Sequence, residues 1–117
     1  KAFARQIALI QQALPDADVL VVGPSDMAHK VEVAWETYPF VDEVRTALRE
    51  AAHAQGAAFF DVFAFMGGAG SMSDWAQRNP PLAGADHIHF TPNGARKVGR
   101  ALALALEQEL DRHAPTK

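Results

Sequence analysis

Asp86 and His89 stand three residues apart in the segment Ala85-Asp86-His87-Ile88-His89-Phe90-Thr91-Pro92-Asn93-Gly94. A histidine acting as a general base needs one ring nitrogen free for the group it deprotonates and the other held by an acceptor. A carboxylate in the same short loop fixes that tautomer and stabilises the imidazolium. Thr91-Pro92, an N-cap followed by proline at the first helical position, marks a helix start that pins the loop before it. The spacing is equally compatible with a plainer part, in which both side chains cap the helix and bond loop backbone. A base also needs a nucleophile. Ser25 follows an apolar run as Val22-Gly23-Pro24-Ser25-Asp26, at the carboxyl end of a strand, where open α/β sheets place ligands. Ser71 stands in Gly67-Gly68-Ala69-Gly70-Ser71-Met72, outside the strand–turn–helix frame of a nucleophile elbow. That segment, Gly68 included, reads as the wall of a substrate pocket or as a plain turn.

His87 and His89 form an HxH pair beside Asp86, but a catalytic zinc takes three protein ligands. His29 and His53 are isolated and no second cluster supports a metal, so none is expected. His87 is expected to face solvent or to pack near the pocket. Trp35, Tyr38, Phe40 and Trp75 lie in or beside loops, where aromatic rings either stack on a sugar or close the core. Eleven basic residues against fourteen acidic give a net charge of −3, which argues against nucleic acid or an anionic membrane surface as partner. Cysteine is absent, which excludes disulfides and thiolate metal sites and leaves the compartment open. No apolar run approaches the roughly 20 residues that span a bilayer.

The elements that must position these residues follow from periodicity. Phe3, Ile7, Ile10 and Leu14 form one helical stripe, which Pro15-Asp16 stops. Val19 to Val22 is a short continuous apolar run suited to a strand buried on both faces, ended by Gly23-Pro24. Ser25 to Pro39 has no clean period and reads as a long loop. Val41, Val44, Leu48 and Ala51 form a second stripe, with Gly56 placed to end that helix. Ala57 to Phe63 reads as a second buried strand, and Asp74-Trp75 as the start of a short helical turn. Ala95, Val98, Leu102, Leu106 and Leu110 carry the last helix to near His113. Strands alternating with helices predict a parallel sheet in a layered α/β fold. Two strands are too few for such a sheet, whose faces must both be covered. The chain, which opens at Lys1 inside a helical stripe, therefore reads as a piece of a longer domain or as a self-associating one.

The block from Asp86 to Gly94, followed by a long helix, resembles the last signature block of the SGNH (GDSL-type) serine esterases. The upstream order of helix, Pro15, strand ending Val22-Gly23-Pro24, helix and strand is similar as well. The Gly67–Met72 run with Trp75 resembles carbohydrate esterases and peptidoglycan O-acetylesterases of that family. The resemblance implies a flavodoxin-like three-layer α/β/α sandwich, to which residues 1–117 contribute a C-terminal segment of about two strands and three main helices. It further implies Asp86 and His89 as two members of a catalytic triad, with Ser25, Gly68, Ser71 and Trp75 near the substrate. The implied substrate is a small-molecule or carbohydrate ester, with O-acetyl groups foremost and no cofactor. The family's Gly-Asp-Ser nucleophile block and the Gly and Asn of its middle blocks do not occur here. The expected partner is accordingly the missing N-terminal part of the same domain, or a second copy. Two other readings stay open, a catalytically incomplete association segment and a flavodoxin-like small-molecule binding module. Export to the periplasm or beyond follows only by family analogy.

Overall fold

The computed structural model describes residues 1–112. Helix α1 (Ala2–Ala13) leads into strand β1 (Leu20–Val22), which is followed by β2 (Ala28–Val31) and β3 (Ala34–Thr37). Then come α2 (Val41–Ala54), β4 (Ala58–Phe60), α3 (Val62–Met66), α4 (Ser71–Ala76) and the long α5 (Pro92–Arg112). β1 and β4 pair in parallel, with Leu20 opposite Ala58 and Val22 opposite Phe60. β2 and β3 form a separate antiparallel hairpin.

Alternation along β1 and β4 sorts their side chains onto two faces. Val21 and Phe59 pack toward α1 and α2, against a core of Ile7, Ala51, Ala52 and Ala57. Phe60 points the other way, toward Val62, Met66, Met72, Trp75 and Ala83, with Phe90 and Val98 of the last helix region closing that cluster. The result is helices, a two-stranded parallel sheet, and helices again. A gap of about 840 Å³ lies between the sheet and α5, lined by Leu20, Ala58, Phe60, Leu102, Ala105 and Leu106. Val22 is 49 % exposed, and Ile10, Leu14, Leu104 and Leu106 also face outward. Ile7 is the one fully buried member of the first stripe, and in the second stripe Val44 stays exposed while Val41 and Ala51 are buried. The side chain of Leu110 and the whole of His113 lie outside the described residues.

Local chemistry accounts for the ends of the elements. Gly56 has φ 66 and follows the α2 cap, as its place after the stripe predicts. Gly23 extends the β1 ladder by donating to the Phe60 carbonyl at 2.9 Å. A Cβ there would come within 2.6 Å of the Phe59 ring. Asp61 ends β4 earlier than the apolar run predicts, because its carboxylate caps α3 through the Ala64 amide at 3.0 Å. The same carboxylate takes a forked contact from Arg45, with Nε at 2.9 Å and Nη2 at 2.6 Å, tying α2 to the start of α3. The Arg45 guanidinium holds the Asp61 carboxyl below its ordinary range. Thr91 caps α5 as expected, its hydroxyl accepting from the Gly94 amide at 3.2 Å and donating to the Pro81 carbonyl at 2.7 Å.

One expectation is overturned. The segment read as a long loop contains the β2–β3 hairpin. Its turn is Glu32-Val33, with Glu32 at φ 55, so the left-handed backbone sits on a residue that carries none of the usual turn signals. Burial alternates along β3, where Trp35 and Thr37 are half-buried, but not along β2, where Ala28 and His29 are inside or partly inside and Lys30 and Val31 are exposed.

Two glycines of α5 give a paired test. A methyl at buried Gly94 would overlap the Leu82 carbonyl, whereas nothing lies within 4 Å of a methyl at exposed Gly99. Gly94→Ala is expected to lower stability by about 1–3 kcal/mol or more through overpacking. Gly99→Ala is expected to raise it by about 0.5–1 kcal/mol by removing backbone entropy from the unfolded chain. Urea unfolding midpoints of the two variants measure both.

Candidate active site

The turn that carries Asp86 and His89 is closed by backbone bonds on both sides. Ala83 and Phe90 form an isolated antiparallel bridge, Gly84 N–H donates to the His89 carbonyl at 2.8 Å, and His87 N–H donates to the Gly84 carbonyl at 3.0 Å. Thr91 N–H reaches the Leu82 carbonyl at 3.1 Å, joining the turn to the capped start of α5. Inside it, the Asp86 carboxylate is fully engaged. Oδ1 accepts from the Ile88 and His89 amides at 3.0 and 3.1 Å, and Oδ2 meets His89 Nδ1 at 2.7 Å. A carboxylate can only accept, so Nδ1 carries the proton. The His89 bond, followed by the two amides, holds the Asp86 carboxyl well below the usual carboxylate range. The imidazole side chain is 80 % exposed. Among the described residues no hydrogen bond occupies its Nε2.

Behind the turn lies a buried layer. His87, between the two exposed residues, is only 7 % exposed. Its ring stacks on Trp35 of β3 at a centroid distance of 3.7 Å and 13° between planes, and its Nδ1 lies 2.8 Å from Ser73 Oγ of α4. The expectation that His87 faces solvent is therefore overturned; its alternative, packing beside the site, is what the structure shows. The His87 carbonyl accepts from the Ala28 amide of β2 at 2.9 Å.

Asp26, which the sequence reading passed over, has no exposed surface at all. Its carboxylate accepts from the Thr37 hydroxyl at 2.8 Å and the Met72 amide at 2.9 Å. Thr37 Oγ1 accepts in turn from the Gly70 amide at 2.8 Å. One anion thus joins the loop after β1, the β2–β3 hairpin and the start of α4. The sequence signal for it is a single acid in a short loop, with nothing to mark its burial.

The other candidate residues are not joined to the Asp86–His89 pair by hydrogen bonds. Ser25 is half-buried in the loop beside Asp26. Ser71 is buried, and its Oγ has no partner among the described residues. Gly68, with φ 84, donates to the Phe63 carbonyl at 2.9 Å and turns the chain between α3 and α4. Trp75 is 2 % exposed and closes the core, edge-on to Phe65 and tilted against Phe90. Among the described residues no group of three histidines or acids converges as a metal site, and no helix is long and apolar enough to cross a membrane.

No protein-family model and no curated protein matches the chain. A solved structure of a peptidoglycan O-acetylesterase does, with a TM-score of 0.84 and 26 % sequence identity over 94 % of this chain. The resemblance to the SGNH esterases is borne out. The chain carries part of the SGNH α/β/α fold, with a two-stranded parallel sheet and its flanking helices. It spans 31 % of the length of that esterase.

Two tests follow from this geometry. Asp26→Ala leaves the Met72 amide and the Thr37 hydroxyl without their acceptor, and is expected to lower stability by about 1–3 kcal/mol for each orphaned donor, read by urea unfolding. Because the Asp86 carboxyl is depressed in the folded chain, its contribution to stability is present above the ordinary aspartate value of about 3.9 and is lost as pH falls through its own lower value. A carboxyl-carbon NMR titration is expected to find Asp86 still charged where free aspartate is half protonated, and to find its midpoint moved back upward in His89→Ala.

Proposed function

We propose that this chain is the part of an SGNH-type carboxylic ester hydrolase that supplies the general base and the acid that orients it. The observation that carries the reading is the 2.7 Å contact between His89 Nδ1 and Asp86 Oδ2, which leaves an exposed imidazole with its second nitrogen free. In the complete enzyme a serine hydroxyl attacks the acyl carbonyl while His89 Nε2 takes its proton. When the tetrahedral intermediate collapses, the same proton passes to the departing alkoxide oxygen. Water then repeats the sequence on the acyl-serine, releasing the carboxylic acid and regenerating the hydroxyl. Asp86 holds the Nδ1–H tautomer throughout and stabilises the imidazolium, remaining charged because its carboxyl is so strongly depressed.

The structural likeness to a peptidoglycan O-acetylesterase supports O-acetyl groups on carbohydrate as the substrate class. The nucleophile is assigned to residues outside this chain: neither Ser25 nor Ser71 is hydrogen-bonded to His89, and Ser71 is buried. The exposed apolar side chains on β1, α1 and α5 support a sheet completed by further strands of the same domain, or by a second copy.

Acetate release from an O-acetylated glycan or an activated acetate ester tests the reading. In the active protein His89→Ala is expected to lower kcat by about 10⁶-fold and Asp86→Asn by about 10⁴-fold. Intact mass spectrometry after treatment with a serine-directed phosphonate locates the nucleophile. An adduct on a polypeptide other than these 117 residues agrees with the assignment, and an adduct on this chain would move it to Ser25, Ser71 or Ser73.

A further inference from the structure

The Asp86–His89 contact forms only if the backbone between them reverses sharply enough for the carboxylate to fold back over the Ile88 and His89 amides. The reversal is made at His87, whose φ of 56 lies in the left-handed region that side-chain-bearing residues seldom occupy. Such a backbone persists when its surroundings over-determine it, and here they do. The ring is stacked on Trp35, its Nδ1 is bonded to Ser73, and its carbonyl is held by Ala28. Those three partners belong to β3, α4 and β2; the buried Asp26 carboxylate and Thr37 hydroxyl tie β3 to the start of α4, and β2 is the strand paired with β3. The Asp86 and His89 side chains, by contrast, are 48 % and 80 % exposed.

We propose that His87 is a positioning residue for the proposed base: its clamped ring imposes the backbone turn that brings Asp86 to His89 Nδ1. The catalytic meaning of this role rests on the functional reading above, but the geometric claim has a readout that needs no turnover. Nitrogen-15 chemical shifts of the His89 ring report which nitrogen holds the proton, because a neutral imidazole without a carboxylate at Nδ1 reverts to a solvent-set mixture of tautomers.

The test is that measurement on the wild type, His87→Ala, Trp35→Leu and His87→Phe, alongside steady-state kinetics of the active protein. Wild type is expected to hold His89 as the Nδ1–H tautomer. His87→Ala and Trp35→Leu are expected to lose that preference, with backbone amide resonances outside the turn unchanged. In kinetics they are expected to lower kcat by about 10- to 100-fold while KM changes little, as a misplaced catalytic group does. His87→Phe keeps a ring for Trp35 and is expected to recover part of the Nδ1–H population lost in His87→Ala. If His87→Ala does not fold, Trp35→Leu and His87→Phe carry the comparison. A folded Trp35→Leu or His87→Ala that keeps the wild-type tautomer overturns the positioning role. A wild type with the Nδ1–H tautomer but no hydrolysis dependent on His89 refutes the esterase reading and leaves the positioning role standing.

Discussion

A carboxylate shut away from water is costly unless donors replace its hydration, and among the described residues Asp26 is the one carboxylate at complete burial. Its two donors come from different elements, the Thr37 hydroxyl of β3 and the Met72 amide of α4. α4 also buries Met72 and Trp75 in the core, and β3 stacks Trp35 on His87, but the carboxylate is what bonds the two elements to each other. β2 and β3 form no part of the parallel sheet, and α4 is a six-residue helix entered through glycines. Remove the anion and two pieces of secondary structure lose the charge-assisted bonds that align them. Those same two pieces supply Trp35 and Ser73, between which the turn bearing Asp86 and His89 is held.

The site is therefore stratified. The outermost layer, Asp86 and His89, is exposed and internally bonded. Below it lies His87 with its aromatic and hydroxyl partners, and below that the Asp26 network. Each layer is more buried than the one above. This is the arrangement expected where reactive groups must be accessible and yet fixed: precision is supplied by a supporting shell, because an exposed side chain has few contacts of its own with which to be placed.

Much of this order was readable from the residues. The Thr91-Pro92 helix start, the Gly56 helix end, the parallel pairing of the two apolar runs and the contact between Asp86 and His89 all follow from local rules of capping, periodicity and charge. What escaped was set by tertiary partners. The hairpin carries no turn signature at Glu32-Val33, so its pairing shows only once Trp35 and Thr37 have a layer to pack on. Asp26 reads as an ordinary loop acid because its partners lie 11 and 46 residues away. His87 sits between Asp86 and Ile88, and nothing in that short loop marks which of its two histidines is buried. Trp75, one of the aromatics read as either pocket or core, is decided by Phe65, Phe90 and Ala83 around it.

Separation along the chain also sets an order in time. The capped start of α5 and the β2–β3 hairpin join near neighbours in sequence, whereas β1 meets β4 across some 38 positions and Asp26 meets Met72 across 46. Closing long loops comes late in folding, since the entropy they surrender must be met before their contacts form. The contacts that hold the turn of Asp86 and His89 belong to this second class, since Ala28 and Trp35 reach His87 from 59 and 52 positions away (87 − 28 and 87 − 35).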